Sequence, residues 1–343
     1  MVVGTAGQVL SLAVYENRGG IQNAIISFLK PDGTTLTAVN FGTAYFTCSS
    51  CSSGYGGSVT LNTPALPMSG TYTVLVQQTN NQQVNVNSSG TGQLTLTLSS
   101  PVAGALTIDG TPTNMNATRQ GQGGQFTVAG AVGQVLSLAV YENLGGIQNA
   151  VITILKPDAT TLTTATLGTV YISCSPSPCS SGYRGSVTLN TPALPLSGTY
   201  TVLVQQMNNQ QINVNSSGTG QLTLTLSSPV SGALMIGGSA VLSTVARRGQ
   251  GTQLTFTGTM AQNLALTMST TCGSISGGSV SILKPDNTTL SSANLTMTTC
   301  TSGSFGNLTL NVPTLPVTGT FTVLFQQSGY GGTGTLTSTL KTR

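Results

Sequence analysis

Six cysteines are the residues of this 343-residue chain whose types and spacing most clearly suggest chemistry. They are Cys48, Cys51, Cys174, Cys179, Cys272 and Cys300. Five lie in three similar segments, CSSCSSGYGGSVTL, CSPSPCSSGYRGSVTL and CTSGSFGNLTL. When these segments are aligned, the last cysteine keeps its place. Its near partner is missing from the third segment, and Cys272 stands upstream instead. One cysteine of the pair thus keeps its aligned position, while the other is found in a different segment of the repeat. This behaviour is typical of a disulfide bond.

The sequence therefore predicts three disulfides, joining residues 48 with 51, 174 with 179, and 272 with 300, in an oxidising extracellular compartment. Only the third closes a long loop, so it should contribute most to stability, about 3–4 kcal/mol. A redox role for Cys48-Ser-Ser-Cys51 would need a thioredoxin-like βαβ setting, which the sequence does not suggest. Zinc is disfavoured because the chain has no histidine.

The carboxylates are the next candidates, and they are few. They are Glu16, Asp32, Asp109, Glu142, Asp158 and Asp286. Without histidine there is no Ser-His or Cys-His nucleophile pair. The two glutamates could serve a glycosidase only if they lay within about 10 Å of each other. We expect each to be a solvated loop residue, and the Asp of each Lys-Pro-Asp to form a turn. The sequence thus predicts no enzyme, no cofactor and no metal site.

The elements that carry these residues are repeated. GSVTLNTPALPMSGTYTVLVQQ, starting at Gly57, returns almost unchanged at Gly185 and more loosely at Gly306. Residues 58–102 and 186–230 differ only at Met68/Leu196, Thr79/Met207 and Val84/Ile212. A period of about 126 residues predicts three units of ordinary domain size, 1–101, 102–229 and 230–343. We call them repeats 1, 2 and 3.

Within each repeat the apolar residues alternate with polar ones. In GTYTVLVQQ, for example, Tyr72, Val74 and Val76 fall on one face of a strand. Short strands separated by Gly and Pro, without a convincing amphipathic helix, predict an all-β chain. We expect three tandem antiparallel β-sandwich domains of jelly-roll or Ig-like type.

The strand order between Gln253 and Leu340 resembles the bacterial pre-peptidase C-terminal type of β-sandwich. It is also similar to the tandem sandwich repeats of large bacterial surface proteins, including those with RHS or YD repeats. The resemblance implies a sandwich fold and a surface location. Members of that group often bind calcium through acidic loops, and some bind collagen or glycans. The acidic loops are absent from this sequence, so calcium is not expected.

A count of strands leaves repeat 1 incomplete. The segments ALTIDG (105–110) and GQGGQFTV (121–128) open repeat 2 as a predicted strand pair, and ALMIGG (233–238) and GQGTQLTFTG (249–258) open repeat 3. Repeat 1 has no such pair. An incomplete sandwich exposes apolar side chains and unpaired backbone groups, which favours strand addition. We expect the missing pair to come from a neighbouring molecule or from upstream sequence.

The composition of the chain disfavours some classes of binding partner. The chain has ten Lys and Arg and six Asp and Glu, in no long run, so nucleic-acid binding is not expected. No apolar stretch is long enough for a transmembrane helix. So few charges give little protection against association. We therefore expect a structural subunit of an extracellular filament or cell-surface stalk, which assembles with itself.

The alternative is an adhesive or glycan-binding module of a larger bacterial surface protein. Exposed aromatic side chains stack on sugars, and four tyrosines lie close to the cysteine-rich segments. They are Tyr45, Tyr55, Tyr171 and Tyr183. Packing of the loop against the end of the sandwich is the other role for these tyrosines, and the sequence favours it over ligand contact.

Overall fold

All regular structure in the described part of the chain is β-strand. The computed structural model describes residues 1–18, 21, 23–42, 44–46, 54–79, 92–144, 146–147, 150–172, 182–207, 218–271, 275, 277–300, 303–329 and 331–343. These residues form 29 strands and no helix, which confirms the all-β prediction. In particular, the described ranges hold no helix with the length and apolarity needed to cross a bilayer.

Repeat 1 forms nine of these strands. They are β1 (Val2–Gly4), β2 (Ser11–Arg18), β3 (Asn23–Leu29), β4 (Thr35–Gly42), β5 (Ala44–Phe46), β6 (Gly54–Gly56), β7 (Ser58–Asn62), β8 (Gly70–Gln78) and β9 (Gln93–Ser99). One sheet has the order β1-β8-β3-β4 and a second has β7-β2-β9. The short strands β5 and β6 pair with each other.

Repeat 2 has three strands before the equivalent of β2, where repeat 1 has only β1. Its strands are β10 (Val102–Ala105), β11 (Thr113–Ala117), β12 (Gly124–Gly130), β13 (Ser137–Leu144), β14 (Ala150–Leu155), β15 (Thr161–Leu167), β16 (Thr169–Ile172), β17 (Gly182–Asn190), β18 (Gly198–Gln206) and β19 (Gly220–Ser227). They form two five-stranded sheets, β10-β12-β18-β14-β15 and β11-β19-β13-β17-β16.

Repeat 3 has the same topology as repeat 2. Its strands are β20 (Val230–Ala233), β21 (Val241–Val245), β22 (Thr252–Gly258), β23 (Leu264–Thr270), β24 (Gly278–Leu283), β25 (Thr289–Asn294), β26 (Thr296–Cys300), β27 (Gly303–Val312), β28 (Gly319–Gln327) and β29 (Gly334–Thr342). The sheet orders are β20-β22-β28-β24-β25 and β21-β29-β23-β27-β26.

Each repeat encloses its own apolar core between two sheets. In repeat 2 the core takes Tyr200 and Val202 from β18 in one sheet and Leu222 and Leu224 from β19 in the other. The side chains between them in each strand are polar or less buried, as period-two alternation predicts. This is the packing of a β-sandwich. Repeats 1 and 3 have separate clusters built in the same way.

Two details differ from the sequence prediction. The segment ALTIDG is not a strand, because the chain turns after Ala105 and Asp109 has a φ of 57°. Its apolar residues mimic strand alternation because Leu106 is buried in the core, with Ile108 packed against it from the turn. The sheets are also not wholly antiparallel, since β10 runs parallel to β12 and β20 runs parallel to β22.

Candidate assembly surface

The predicted disulfides lie outside what the structure describes. Cys48, Cys51, Cys174, Cys179 and Cys272 are not among the described residues, and Cys300 is placed only by its backbone in β26. The three pairings therefore stay predictions.

The four candidate tyrosines are placed by their backbones in short hairpins. Tyr45 in β5 lies opposite Tyr55 in β6, and Tyr171 in β16 lies opposite Tyr183 in β17. The sequence did not indicate this pairing.

The prediction of solvated glutamates is wrong. Glu16 is 1% exposed and Glu142 is not exposed at all. The Glu142 Oε1 atom accepts hydrogen bonds from the backbone N–H of Gly146 (3.0 Å) and Ile147 (2.9 Å). Glu16 Oε1 accepts one from Ile21 (2.8 Å). Each carboxylate holds the following loop against the core, which a sequence pattern of Tyr-Glu-Asn does not reveal.

The three Lys-Pro-Asp segments are turns, as predicted. In each, the aspartate accepts hydrogen bonds from the backbone N–H and the hydroxyl of the threonine two residues later, as in Asp158 with Thr160 (2.9 and 2.6 Å). The hydroxyl bond is the main reason why the pKa of Asp158 lies below its usual value. The pKa values of Asp32 and Asp286 are lowered for the same reason. Nothing in these exposed turns suggests catalysis.

The remaining carboxylate, Asp109, lies where repeat 2 meets repeat 3. It accepts hydrogen bonds from the backbone N–H (3.0 Å) and the hydroxyl of Ser228. Arg247, from repeat 3, donates to the carbonyl oxygens of Asp109 (3.2 Å), Gly110 and Leu226 (3.3 Å). Its guanidinium also lies 3.8 Å from the Asp109 carboxylate. An arginine of repeat 3 therefore binds the Asp109-Gly110 turn of repeat 2 through hydrogen bonds.

The same contacts join repeat 1 to repeat 2 and repeat 2 to repeat 3. In the first junction the Ser11 hydroxyl donates to Asn62 Oδ1 (2.7 Å), and Asn62 Nδ2 donates to the Gln206 carbonyl oxygen (2.9 Å). The Gln206 side chain donates in turn to the carbonyl oxygens of Gln122 (3.0 Å) and Gly218 (2.9 Å).

The second junction reproduces this chain of hydrogen bonds. Ser137 donates to Asn190 Oδ1 (2.7 Å), and Asn190 Nδ2 donates to the Gln327 carbonyl oxygen (2.9 Å). The Gln327 side chain donates to Gln250 (2.7 Å) and Gly332 (3.0 Å). The two junctions are therefore the same head-to-tail contact, which joins different surfaces of successive repeats.

Repeat 3 keeps an asparagine, Asn311, at the position of Asn190, but it differs at two other positions of the receiving face. Ala139 pairs with Thr188 in repeat 2, and the equivalent register position in repeat 3 pairs Thr267 with Thr309. Ala139 is buried, whereas Thr267 is exposed. Ala265 likewise replaces Ser137, so the serine hydroxyl of the junction is lost. The receiving face of repeat 3 is chemically different from those of repeats 1 and 2.

Repeat 1 has an open groove where repeats 2 and 3 are closed. We define the repeat 1 groove by five core-facing side chains along β8 and β9. They are Val74, Val76, Leu94, Leu96 and Leu98. Leu96 pairs with the fully buried Val14, yet it is itself 44% exposed. The equivalent Leu224 in repeat 2 is 1% exposed.

The difference does not come from the strands themselves, because β8 and β18 read GTYTVLVQQ and β9 and β19 share QLTLTLS. In repeat 2, β12 covers β18 from Gly124 to Gly130 and β11 covers β19 from Thr113 to Ala117. Met115 and Phe126 of these strands are buried in the core. Repeat 1 lacks the equivalents of β10 and β11 and most of β12.

The remaining part of that strand is β1. Val2, Val3 and Gly4 pair with Tyr72, Thr71 and Gly70. Val128, Ala129 and Gly130 make the same pairs with β18. Thus β1 covers only one end of β8 and leaves residues 73–76 of that edge without the neighbour that β12 provides in repeat 2. Full burial of one aliphatic side chain contributes roughly 1.5–3 kcal/mol, and repeat 2 gains this contribution at Val202, Val204 and Leu224.

Comparison with known proteins does not identify the chain. No protein-family model matches it, and no curated protein matches it. The similar solved structures include the VP2 subviral particle of infectious bursal disease virus, at 10% identity, over 97% of this chain and 63% of that one, with a TM-score of 0.22. A candidate secreted protein of Eubacterium rectale is 10% identical over 64% of this chain and 68% of that one, with a TM-score of 0.19. Likenesses this weak carry no argument about function.

Proposed function

We propose that the chain is a structural subunit of an extracellular filament or cell-surface stalk, built from three tandem β-sandwich domains, 1–101, 102–229 and 230–343. It has no enzymatic role, and it joins its neighbours by strand complementation. The observation that carries this proposal is the repeat 1 groove, in which β-strands that are buried in repeat 2 are left partly exposed. An open edge beside an apolar groove favours strand addition.

Two further features support a structural role. The junctions between successive repeats use the same serine, asparagine and glutamine contacts, as in Ser11, Asn62 and Gln206. A repeated junction sets the same step between repeats along an axis, as in solenoid and tandem arrays. The low number of charged residues, ten basic and six acidic, also leaves the surfaces free to associate.

Light scattering over a concentration series, followed by negative-stain electron microscopy, tests the proposal. We expect regular linear assemblies in native material or at high concentration. Leu96→Asp, which places a charge in the groove, should abolish them. Leu242→Asp is the matched control, because Leu242 is 70% exposed on β21, outside the groove. A monomer at every concentration, or equal effects of both variants, would contradict the proposal.

The second candidate function is glycan binding, and the cross-strand tyrosine pairs favour it. Tyr45 opposite Tyr55 and Tyr171 opposite Tyr183 give two similar aromatic pairs in adjacent repeats. A glycan array with the native chain and with Tyr55→Ala/Tyr183→Ala tests this function. Binding that the double variant loses would support it, whereas no binding, or binding unchanged in the variant, would exclude a role for these tyrosines.

A further inference from the structure

We propose that the outer face of one sheet of repeat 2 binds an acidic glycan, a saccharide chain that carries carboxylate groups. We define this amide face by six side chains of β11, β13 and β19 that point away from the core. They are Asn114, Asn116, Tyr141, Asn143, Gln221 and Thr223. The inference is independent of the filament, because it needs neither strand addition nor a second chain. It also uses different side chains from the tyrosine pairs of the short hairpins.

Five of these side chains form a continuous hydrogen-bonded network. Thr223 Oγ1 donates to Asn114 Oδ1 (2.7 Å). Gln221 Nε2 donates to Asn116 Oδ1 (2.7 Å). Asn143 Nδ2 joins the two pairs, because it donates to both Gln221 Oε1 (3.0 Å) and Thr223 Oγ1. A network of this kind holds each amide in one orientation, so little side-chain freedom is lost when a ligand binds.

The network leaves two amide groups available to a ligand. A carboxamide has two N–H donors and one carbonyl oxygen. In Asn114 and Asn116 the oxygen is engaged, whereas the Nδ2 group donates to no residue in the described ranges. Both side chains are exposed, and they lie two residues apart on β11, a spacing of about 6.6–6.8 Å. The face therefore presents two fixed donor groups to a ligand with closely spaced oxygen atoms.

A positive charge from repeat 3 lies at the opposite side of the face. Arg248 Cζ is 4.8 Å from the centre of the Tyr141 ring, and Arg248 is exposed. Tyr141 lies directly opposite Thr223 in the ladder, so the guanidinium is beside the network. Ala139, two residues before Tyr141, is buried and lies against Gly249 of repeat 3. The amide face thus lies in the corner where repeat 3 packs on repeat 2.

The charge of this corner indicates the class of ligand. Every carboxylate of the chain is engaged elsewhere, in the three Lys-Pro-Asp turns, in the contact of Asp109 with Ser228, or in the buried bonds of Glu16 and Glu142. An arginine that packs on an aromatic ring presents a planar set of N–H donors, which matches a carboxylate. The guanidinium and the amide donors together are complementary to a ligand with carboxylate, hydroxyl and ether oxygens.

A polypeptide fits this surface less well than a saccharide. Protein interfaces depend on apolar or aromatic anchors that are buried in pockets. The amide face consists of amides, one hydroxyl and a tyrosine ring on which Arg248 already lies. An acidic saccharide has hydroxyl and ring oxygens at close spacing along its whole length, and it binds through them without an apolar pocket.

Repeat 3 provides a matched control surface. Leu242 and Thr244 on β21 hold the positions that Asn114 and Asn116 hold on β11. The two strands pair with equivalent neighbours, β29 and β19, and positions 242 and 244 are exposed. Substitutions at these two positions therefore change an equivalent surface without touching the amide face.

The first test is a glycan array of uronic-acid and sialic-acid oligosaccharides, each printed beside its carboxyl methyl ester and probed with the native chain. We expect binding to acidic oligosaccharides and about tenfold weaker binding to their esters, because the ester no longer pairs with Arg248. Isothermal titration with the acidic oligosaccharide that binds most tightly then gives the affinity of each variant, and thermal unfolding shows that each variant is folded.

Two variants locate the ligand. Asn114→Ala/Asn116→Ala should weaken binding about tenfold, because two donor groups are lost. Arg248→Gln should weaken binding of the acid about tenfold and leave binding of the ester unchanged. Leu242→Ala/Thr244→Ala is the control and should bind as the native chain does.

Several results would overturn the inference. They are the absence of binding to any acidic oligosaccharide, equal binding of acids and esters, and an Asn114→Ala/Asn116→Ala variant that binds as well as the control. Binding that is lost in Tyr55→Ala/Tyr183→Ala but kept in the asparagine variant would assign the glycan to the tyrosine pairs instead. Glycan binding by a chain that stays monomeric would refute the filament and support this inference, whereas linear assemblies without glycan binding would do the reverse.

Discussion

Gly249 of repeat 3 lies directly against Ala139 of repeat 2, so closely that a Cβ atom on the glycine would fall 2.8 Å from the Ala139 Cβ. Gly121 and Ala13 have the same relationship, with the same distance, between repeats 1 and 2. Both glycines have a positive φ, 75° and 71°. The junction therefore needs a glycine turn on one side and a small side chain on the other.

Ala139→Thr should weaken the junction between repeats 2 and 3. A larger side chain in a closely packed contact costs about 1–3 kcal/mol. Chemical denaturation should show the loss, and protease should cut more readily near residues 227–230. Thr267→Ala, at the equivalent exposed position, should change stability by less than about 0.5 kcal/mol. Equal effects of the two variants would show that the contact does not couple the repeats.

Leu224→Ala and Leu96→Ala compare the same position in two copies of one strand. Removing the buried Leu224 side chain should cost about 2–5 kcal/mol. Removing Leu96, which is 44% exposed, should cost less than about 1 kcal/mol in the isolated chain. Unfolding followed by hydrogen exchange separates the two repeats. If a complementing segment is bound, the cost of Leu96→Ala should rise towards that of Leu224→Ala.

Glu142→Ala should destabilise repeat 2 by about 1–3 kcal/mol, because the backbone N–H groups of Gly146 and Ile147 lose their side-chain acceptor in a buried place. Glu142→Gln keeps an acceptor oxygen and should cost less. Thermal unfolding of both variants measures the difference. If alanine and glutamine were equally harmless, the carboxylate would not be what holds this loop.

The three turn aspartates predict a loss of stability in acid. Hydrogen bonds from Thr34, Thr160 and Thr288 lower the pKa values of their aspartates in the folded state. Their stabilisation is therefore complete above about pH 4 and lost as the pH falls through the lowered pKa values.

Urea denaturation between pH 6 and pH 2 should show this loss. The triple variant Thr34→Val/Thr160→Val/Thr288→Val should show a shallower decline, because the main cause of the lowered pKa values is gone. A decline of the same slope in both proteins would place the acid sensitivity elsewhere.

The disulfide pattern is tested by peptide mapping of the unreduced chain. We expect linked peptides for residues 48 with 51, 174 with 179, and 272 with 300. Cys272→Ser should lower the free energy of unfolding by about 3–4 kcal/mol, because this bond closes the longest loop. Free thiols throughout the native chain would contradict both the pairing and the proposed oxidising compartment.

Much of the architecture can be predicted from the sequence because it is local and repeated. Period-two alternation predicts the strands, Lys-Pro-Asp predicts the turns, and the missing opening segment of repeat 1 is visible by simple alignment of the copies. The cysteine pairing is also proposed from alignment alone. These inferences need only short-range geometry and the comparison of one repeat with another.

Only the tertiary structure shows where the same residue has a different environment in two repeats. Leu96 and Leu224 lie in the same sequence, QLTLTLS, and differ only in whether a neighbouring strand covers them. The sequence predicts a solvated loop residue at Glu142, but its side chain is buried. It predicts a strand at Asp109, but this residue lies in a turn at the junction between repeats 2 and 3. Burial and contacts between repeats depend on strands far away along the chain, so no local pattern contains them.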